Sequence, residues 1–197
     1  MVRRMALGSL VVLVILALVW MVAAIAPRIP VRSVPAAASP AASVAPSGPE
    51  RKIKATLYYI SEDGLSLPGV QREVPFADSI AEQARRIVEA QLTDAPPPYA
   101  PAVPGGTTLR GLFIGQRGEA FVDLAGDVRT KHPGGALYEL FTIYSIVNAL
   151  TVNLPAITRV QILIDGKEAD TLAGHVDLRH PLQKNLKWTE LPTDTDK

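Results

Sequence analysis

Gly118-Glu119-Ala120-Phe121-Val122-Asp123-Leu124-Ala125-Gly126-Asp127 alternates small or apolar side chains with larger or charged ones until Ala125-Gly126 breaks the pattern. Ala120, Val122 and Leu124 fall on one side and Glu119, Phe121 and Asp123 on the other, the period of a strand with one face in a core. The run before it, Thr108 to Ile114, reads as a second strand. Gly115-Gln116-Arg117-Gly118 joins the two at hairpin length, with glycine where positive φ is needed. The two aspartates suggest a catalytic pair. A carboxylate acting as general acid or base needs burial or a like charge to raise its pKa, and an outward Asp at a loop edge has neither. Asp123 and Asp127 therefore read as scaffold, with Asp127 in a loop or cap role.

Upstream of the hairpin, Lys52 to Ile60 places Ile53, Ala55, Leu57 and Tyr59 on one face, with Lys52 and Lys54 on the wet side. Val70 to Val74 is a shorter extended piece before Pro75. Asp78 to Leu92 repeats apolar residues at Ile80, Ala84, Ile87, Val88 and Leu92, and Ser79 with Glu82 has capping-box spacing, so an amphipathic helix is expected. The proline-rich loop DAPPPYAPAVPGG follows, where neither helix nor central strand can form.

Downstream, Gly135 to Leu154 reads as a second helix. Leu137, Leu140, Ile143, Tyr144, Val147, Leu150 and Leu154 fill half its wheel; Tyr138, Thr142, Ser145, Ile146 and Ala149 occupy the other half, with Glu139 its sole charge. So weakly charged an outer side means either that a partner covers it or that the helix is sunk in its own domain. Thr158 to Asp165 alternates again, with Val160, Ile162 and Ile164 inward. Asp165-Gly166 is a tight-turn dipeptide that folds Lys167 to Leu172 back as a short strand. The order predicts an α/β architecture of the α+β type, a small mixed sheet with two helices packed on one face.

The whole chain has 197 residues, 20 basic against 19 acidic side chains and no cysteine. That balance gives no reason to expect nucleic acid, and the missing cysteines exclude disulfides, thiolate metal sites and a lipid-modified N-terminal cysteine. Residues 6–26 (ALGSLVVLVILALVWMVAAIA) carry no charged side chain. A helix of about 21 residues spans the ~30 Å of a bilayer core, so the segment reads as an uncleaved transmembrane anchor, with cleavage after Ala26 as the alternative. Residues 1–5 form a short flank expected on the cytoplasmic side, leaving the rest extracytoplasmic. Two-thirds of residues 27–50 are Pro, Ala or Ser, the composition of an extended spacer. The folded domain covers 51–190, and 191–197 is a polar tail.

No constellation in that domain carries chemistry. His175 and His180 flank Asp177, but the third histidine, His132, is far away in sequence, so no metal is expected. The Pro-Gly-Gly stretches at 104–106 and 133–135 lack the spaced glycines and Lys-Ser/Thr of a phosphate loop. Ser145 lies inside a helix rather than on a strained turn. The reading is of a protein that is not an enzyme and holds no cofactor.

The segments LYYISEDGLSLPGVQREV, AEQARRIVEAQL, VPGGTTLRGLFIGQRGEAFVDLAG, GGALYELFTIYSIVNALTVNLPAITRVQILIDGK and HVDLRHPL, together spanning about Lys52 to Leu182, resemble the GerMN domain of the sporulation and spore germination family. The resemblance implies a fold similar to the ring-building motifs of envelope secretion machines. It also implies an extracytoplasmic, membrane-tethered role in cell-envelope protein assembly, without catalysis or cofactor. The residues expected at a protein interface are Tyr138, Thr142, Ser145, Ile146 and Ala149 of the second helix, with outward Phe121. The expected partners are the membrane, envelope proteins and further copies of the chain. A peptidoglycan- or glycan-binding module using Tyr58, Tyr99 and the proline-rich loop is the alternative.

Overall fold

The computed structural model describes residues 51–189. The expected anchor at 6–26, spacer at 27–50 and tail at 191–197 lie outside them; among the described residues no helix is long and apolar enough to cross a membrane.

The elements run in the order β1 (Lys52–Tyr58), β2 (Gly69–Pro75), α1 (Ile80–Gln91), β3 (Leu109–Ile114), β4 (Glu119–Leu124), α2 (Asp127–Lys131), α3 (Ala136–Asn153), β5 (Arg159–Ile164), β6 (Lys167–Glu168) and β7 (Leu182–Gln183). The one expected sheet is in fact two. β1 and β2 pair antiparallel by themselves, while β3, β4, β5 and β6 form the larger sheet, with β7 also on β5. β4 and β5 are parallel, Val122 facing Ile162, because α3 carries the chain from one to the other. Their inward residues Ala120, Val122, Leu124, Val160 and Ile162 are almost completely buried, in one core with Ala84, Ile87 and Val88 of α1 and Ile143 and Leu150 of α3.

Side-chain amides explain why the sheets stay separate. On the edge of β1 away from β2, the Tyr58 N–H donates to Gln91 Oε1 at 2.8 Å and the Tyr58 carbonyl accepts from Gln91 Nε2 at 2.6 Å. Thr56 makes the same pair of bonds with Asn153, both at 2.8 Å. The last residue of each long helix thus imitates a neighbouring strand and satisfies an edge that would otherwise be left open.

Local signals place the remaining elements. The Ser79 hydroxyl caps α1 by accepting the Glu82 N–H at 3.1 Å. Asp165 and Gly166 both have positive φ, 52° and 75°, the two-residue turn their sequence demands. Gly118 also has positive φ, and a Cβ there would lie 2.6 Å from the Ala156 carbonyl, so the β3–β4 turn packs against the loop after α3 only because it is glycine.

Candidate functional site

The two aspartates of the opening stretch are structural ties. Asp123 Oδ1 accepts the Gly166 N–H at 2.7 Å, and Oδ2 is 3.2 Å from Arg110 Nε. Arg110 also reaches Asp165 Oδ1 at 2.8 Å, and the same oxygen accepts the Gly126 N–H at 3.0 Å. The exit of β4, the start of β3 and the β5–β6 turn are thereby knotted together. The Gly126 N–H and Arg110 hold the Asp165 carboxyl below its ordinary range. Asp127 begins the short helix α2 and pairs with Lys131 at 2.6 Å.

The residues expected as the exposed face of the second helix are mostly not exposed. Thr142, Ser145, Ile146 and Ala149 are buried to 1% or less, which corrects their assignment as an interface, and only Tyr138 is open, at 47%. The helix is covered, as its sparse charge suggested, but by its own chain. Thr142 Oγ1 donates to the Ala102 carbonyl of the proline-rich loop at 2.6 Å. The segment after β7 lies along another side, where Asn148 Nδ2 donates to the Asn185 carbonyl at 2.8 Å and Asn148 Oδ1 accepts the Asn185 N–H at 3.0 Å. Further on, Trp188 meets the Phe141 ring edge-on at 6.2 Å. A helix apolar all round is a core helix.

Glu139, the lone charge of that helix, is buried as well. Its Oε1 accepts the N–H groups of Leu172 at 2.9 Å and Ala173 at 2.8 Å, and its Oε2 accepts the His175 N–H at 2.7 Å. Burial works against the charge, but the N–H groups of Ala173, His175 and Val176 with the His175 ring outweigh it, so the carboxyl sits below its ordinary pKa. His175 is therefore engaged with Glu139, and Asp177 with Arg179 at 2.7 Å. Among the described residues no group of three or more ligating side chains could hold a metal ion. Tyr58 is 3% exposed, which removes it from the expected glycan platform; Tyr99 is half-buried.

What remains open is the far face of the larger sheet. Phe121, half-buried as an outward residue of β4, stands across from Phe113 of β3, which is 65% exposed, more than any other large apolar residue described. The Phe113 ring lies over Gly111, where a Cβ would come within 3.1 Å of it. Leu163 of β5 adds apolar surface beside Asp123. At one end Glu119 takes Arg159 at 3.1 Å and Arg117 at 3.7 Å; at the other stands the Arg110 cluster. Toward β5 the face closes, since Gln161 is buried with its amide donating to the Leu178 carbonyl at 2.6 Å. Sequence reasoning missed Phe113. The four-residue connection read from the sequence would set 113 opposite Ala120, whereas Gly115 pairs with Glu119 across a three-residue turn and sets it opposite Phe121.

A family model described as sporulation and spore germination matches residues 56–170. The chain belongs to that sporulation and spore germination family. The first GerMN domain of the sporulation protein GerM from Bacillus subtilis has a similar fold, with TM-score 0.51 at 20% identity over 68% of this chain and 96% of that one. The tandem GerMN domains of GerM give TM-score 0.51 at 19% identity over 69% of this chain and 46% of that one, so this chain spans about half of the tandem. A Clostridium perfringens protein aligns at 23% identity and TM-score 0.48, over 68% of this chain and 88% of that one. No curated protein matches the chain significantly. The match places the Asp123 tie, Glu139 and the Asp165-Gly166 turn inside the GerMN domain.

Proposed function

We propose that this protein is a non-enzymatic, membrane-anchored extracytoplasmic module of cell-envelope assembly, in sporulation- or germination-like machinery, that docks other copies of itself or envelope proteins through the open sheet face. The observation that carries this reading is Phe113, a large aromatic ring held in solvent over Gly111 beside Phe121, with arginines at both ends of the face. Aromatic side chains and arginine are the types enriched where proteins meet, and a flat ring costs little side-chain entropy to immobilise. The charge-free run at 6–26 supplies the anchor.

Sedimentation of the full chain in detergent micelles tests it. A mass that rises with protein concentration, and that Phe113→Asp reduces to the monomer with the circular dichroism unchanged, is the expected result. If self-association is absent and a photo-crosslinker at position 113 captures no neighbour in membranes, the reading fails.

A further inference from the structure

The proline-rich loop, the end of α2 and the start of α3 enclose a cleft of about 480 Å³ that shares no lining residue with the open sheet face. That volume lies within the range of small-molecule clefts. Its walls are fixed in advance. The Ala100 N–H and carbonyl pair with those of Ile60 at 2.9 Å, Thr142 holds Ala102, and Lys131 Nζ donates to the Gly106 carbonyl at 3.1 Å.

The wall chemistry is narrow. Pro101, Pro104 and Pro133 bring C–H surface but no N–H; Thr107 and Thr142 already take the Pro104 and Ala102 carbonyls, which leaves those of Pro101 and Val103 as acceptors. Tyr138 brings an exposed ring and a phenol. Lys131 has three N–H donors, of which Asp127 Oδ2 and the Gly106 carbonyl engage two, leaving one. Asp127 also cancels the lysine charge, so the cleft has no net attraction for an ion. A fitting ligand is uncharged, presents a C–H face to an aromatic ring, and carries groups that both donate and accept at close spacing. Sugar hydroxyls do both. A purely apolar ligand would strand the lysine donor, an anion would find the lysine charge already paired with Asp127, and a proline-rich peptide has few donors for the Pro101 and Val103 carbonyls.

We propose that this cleft is a saccharide-binding site that takes a neutral pyranose of an envelope glycan with its C–H face on Tyr138. The site works independently of the open sheet face. Calorimetric titration of the full chain in detergent with cellotetraose and with chitotetraose tests it. Saturable binding of at least one sugar is expected, insensitive to salt, at least roughly tenfold weaker in Tyr138→Ala, kept in Tyr138→Trp and kept in Phe113→Asp. The proposal is overturned if neither sugar binds, if binding survives Tyr138→Ala, or if a peptide of residues 27–50 binds in their place.

Discussion

The Glu139 carboxylate, buried in the first turn of α3, accepts the backbone N–H of His175 at 2.7 Å and lies 3.0 Å from Nδ1 of the same residue. One side chain therefore fixes the loop that leads from β6 to β7. Because its folded pKa is depressed, its stabilisation is complete above the unfolded carboxyl pKa of about 4.3 and is lost as pH falls through the lower folded value. Glu139→Gln turns an N–H₂ toward the His175 N–H and leaves that donor unpaired, a loss of about 2 kcal/mol at neutral pH. Urea midpoints measured from pH 7 down to pH 3 check both points: the wild type declines more steeply at the acid end, and the gap between the two proteins narrows.

The amides on the edge of β1 give a second prediction. Asn153→Leu keeps the side-chain size but strips the Thr56 N–H and carbonyl of their partners, and Gln91→Met does the same to Tyr58. Each change costs about 2–4 kcal/mol in the thermal or urea midpoint. Hydrogen exchange separates them: the Thr56 amide loses protection in the first variant and the Tyr58 amide in the second.

Asn148 and Asn185 form an asymmetric pair. The Asn148 side chain bonds the backbone of residue 185, so Asn185→Ala leaves both bonds in place, loses only the exposed bond from the Lys187 N–H to Asn185 Oδ1 at 3.1 Å, and costs less than about 1 kcal/mol. Asn148→Leu removes both and costs about 1–3 kcal/mol. Equal effects in a chemical melt would contradict the geometry.

Two apolar-to-acid changes contrast surface with core. Phe113→Asp leaves the melting temperature within a few degrees, because the ring is 65% exposed. Ile146→Asp buries an unpaired carboxylate, costs roughly 4 kcal/mol or more, and prevents a cooperative melt. Calorimetry of both variants is sufficient.

Much of the architecture was legible because the strands alternate and α1 has a caught cap. Ser79 and Glu82 mark the start of α1, and the Asp165-Gly166 pair marks the β5–β6 turn. The split into two sheets was not legible. It depends on Gln91 and Asn153 reaching a strand that lies 33 and 97 residues away, and helix-end amides give no local sign of that. α2 and β7 are too short, at five and two residues, to leave a period. The interface expectation for α3 failed for a physical reason. Thr142 and Ser145 are polar enough to suggest water, but they bond the chain itself: the Ala102 carbonyl and the helix backbone. Phe121 was read correctly as outward, while its more exposed neighbour Phe113 was passed over.

The enclosure of α3 beyond its first turn also bears on how the molecule is made. Its covers come from β1 at one end of the described chain, from the loop before β3, and from residues 185–188 at the other end. During synthesis the helix leaves the ribosome dozens of residues before its last cover, with no polar side of its own to meet water. Contacts so distant along the chain slow closure, and the unshielded helix is a natural client for chaperones until position 188 has emerged.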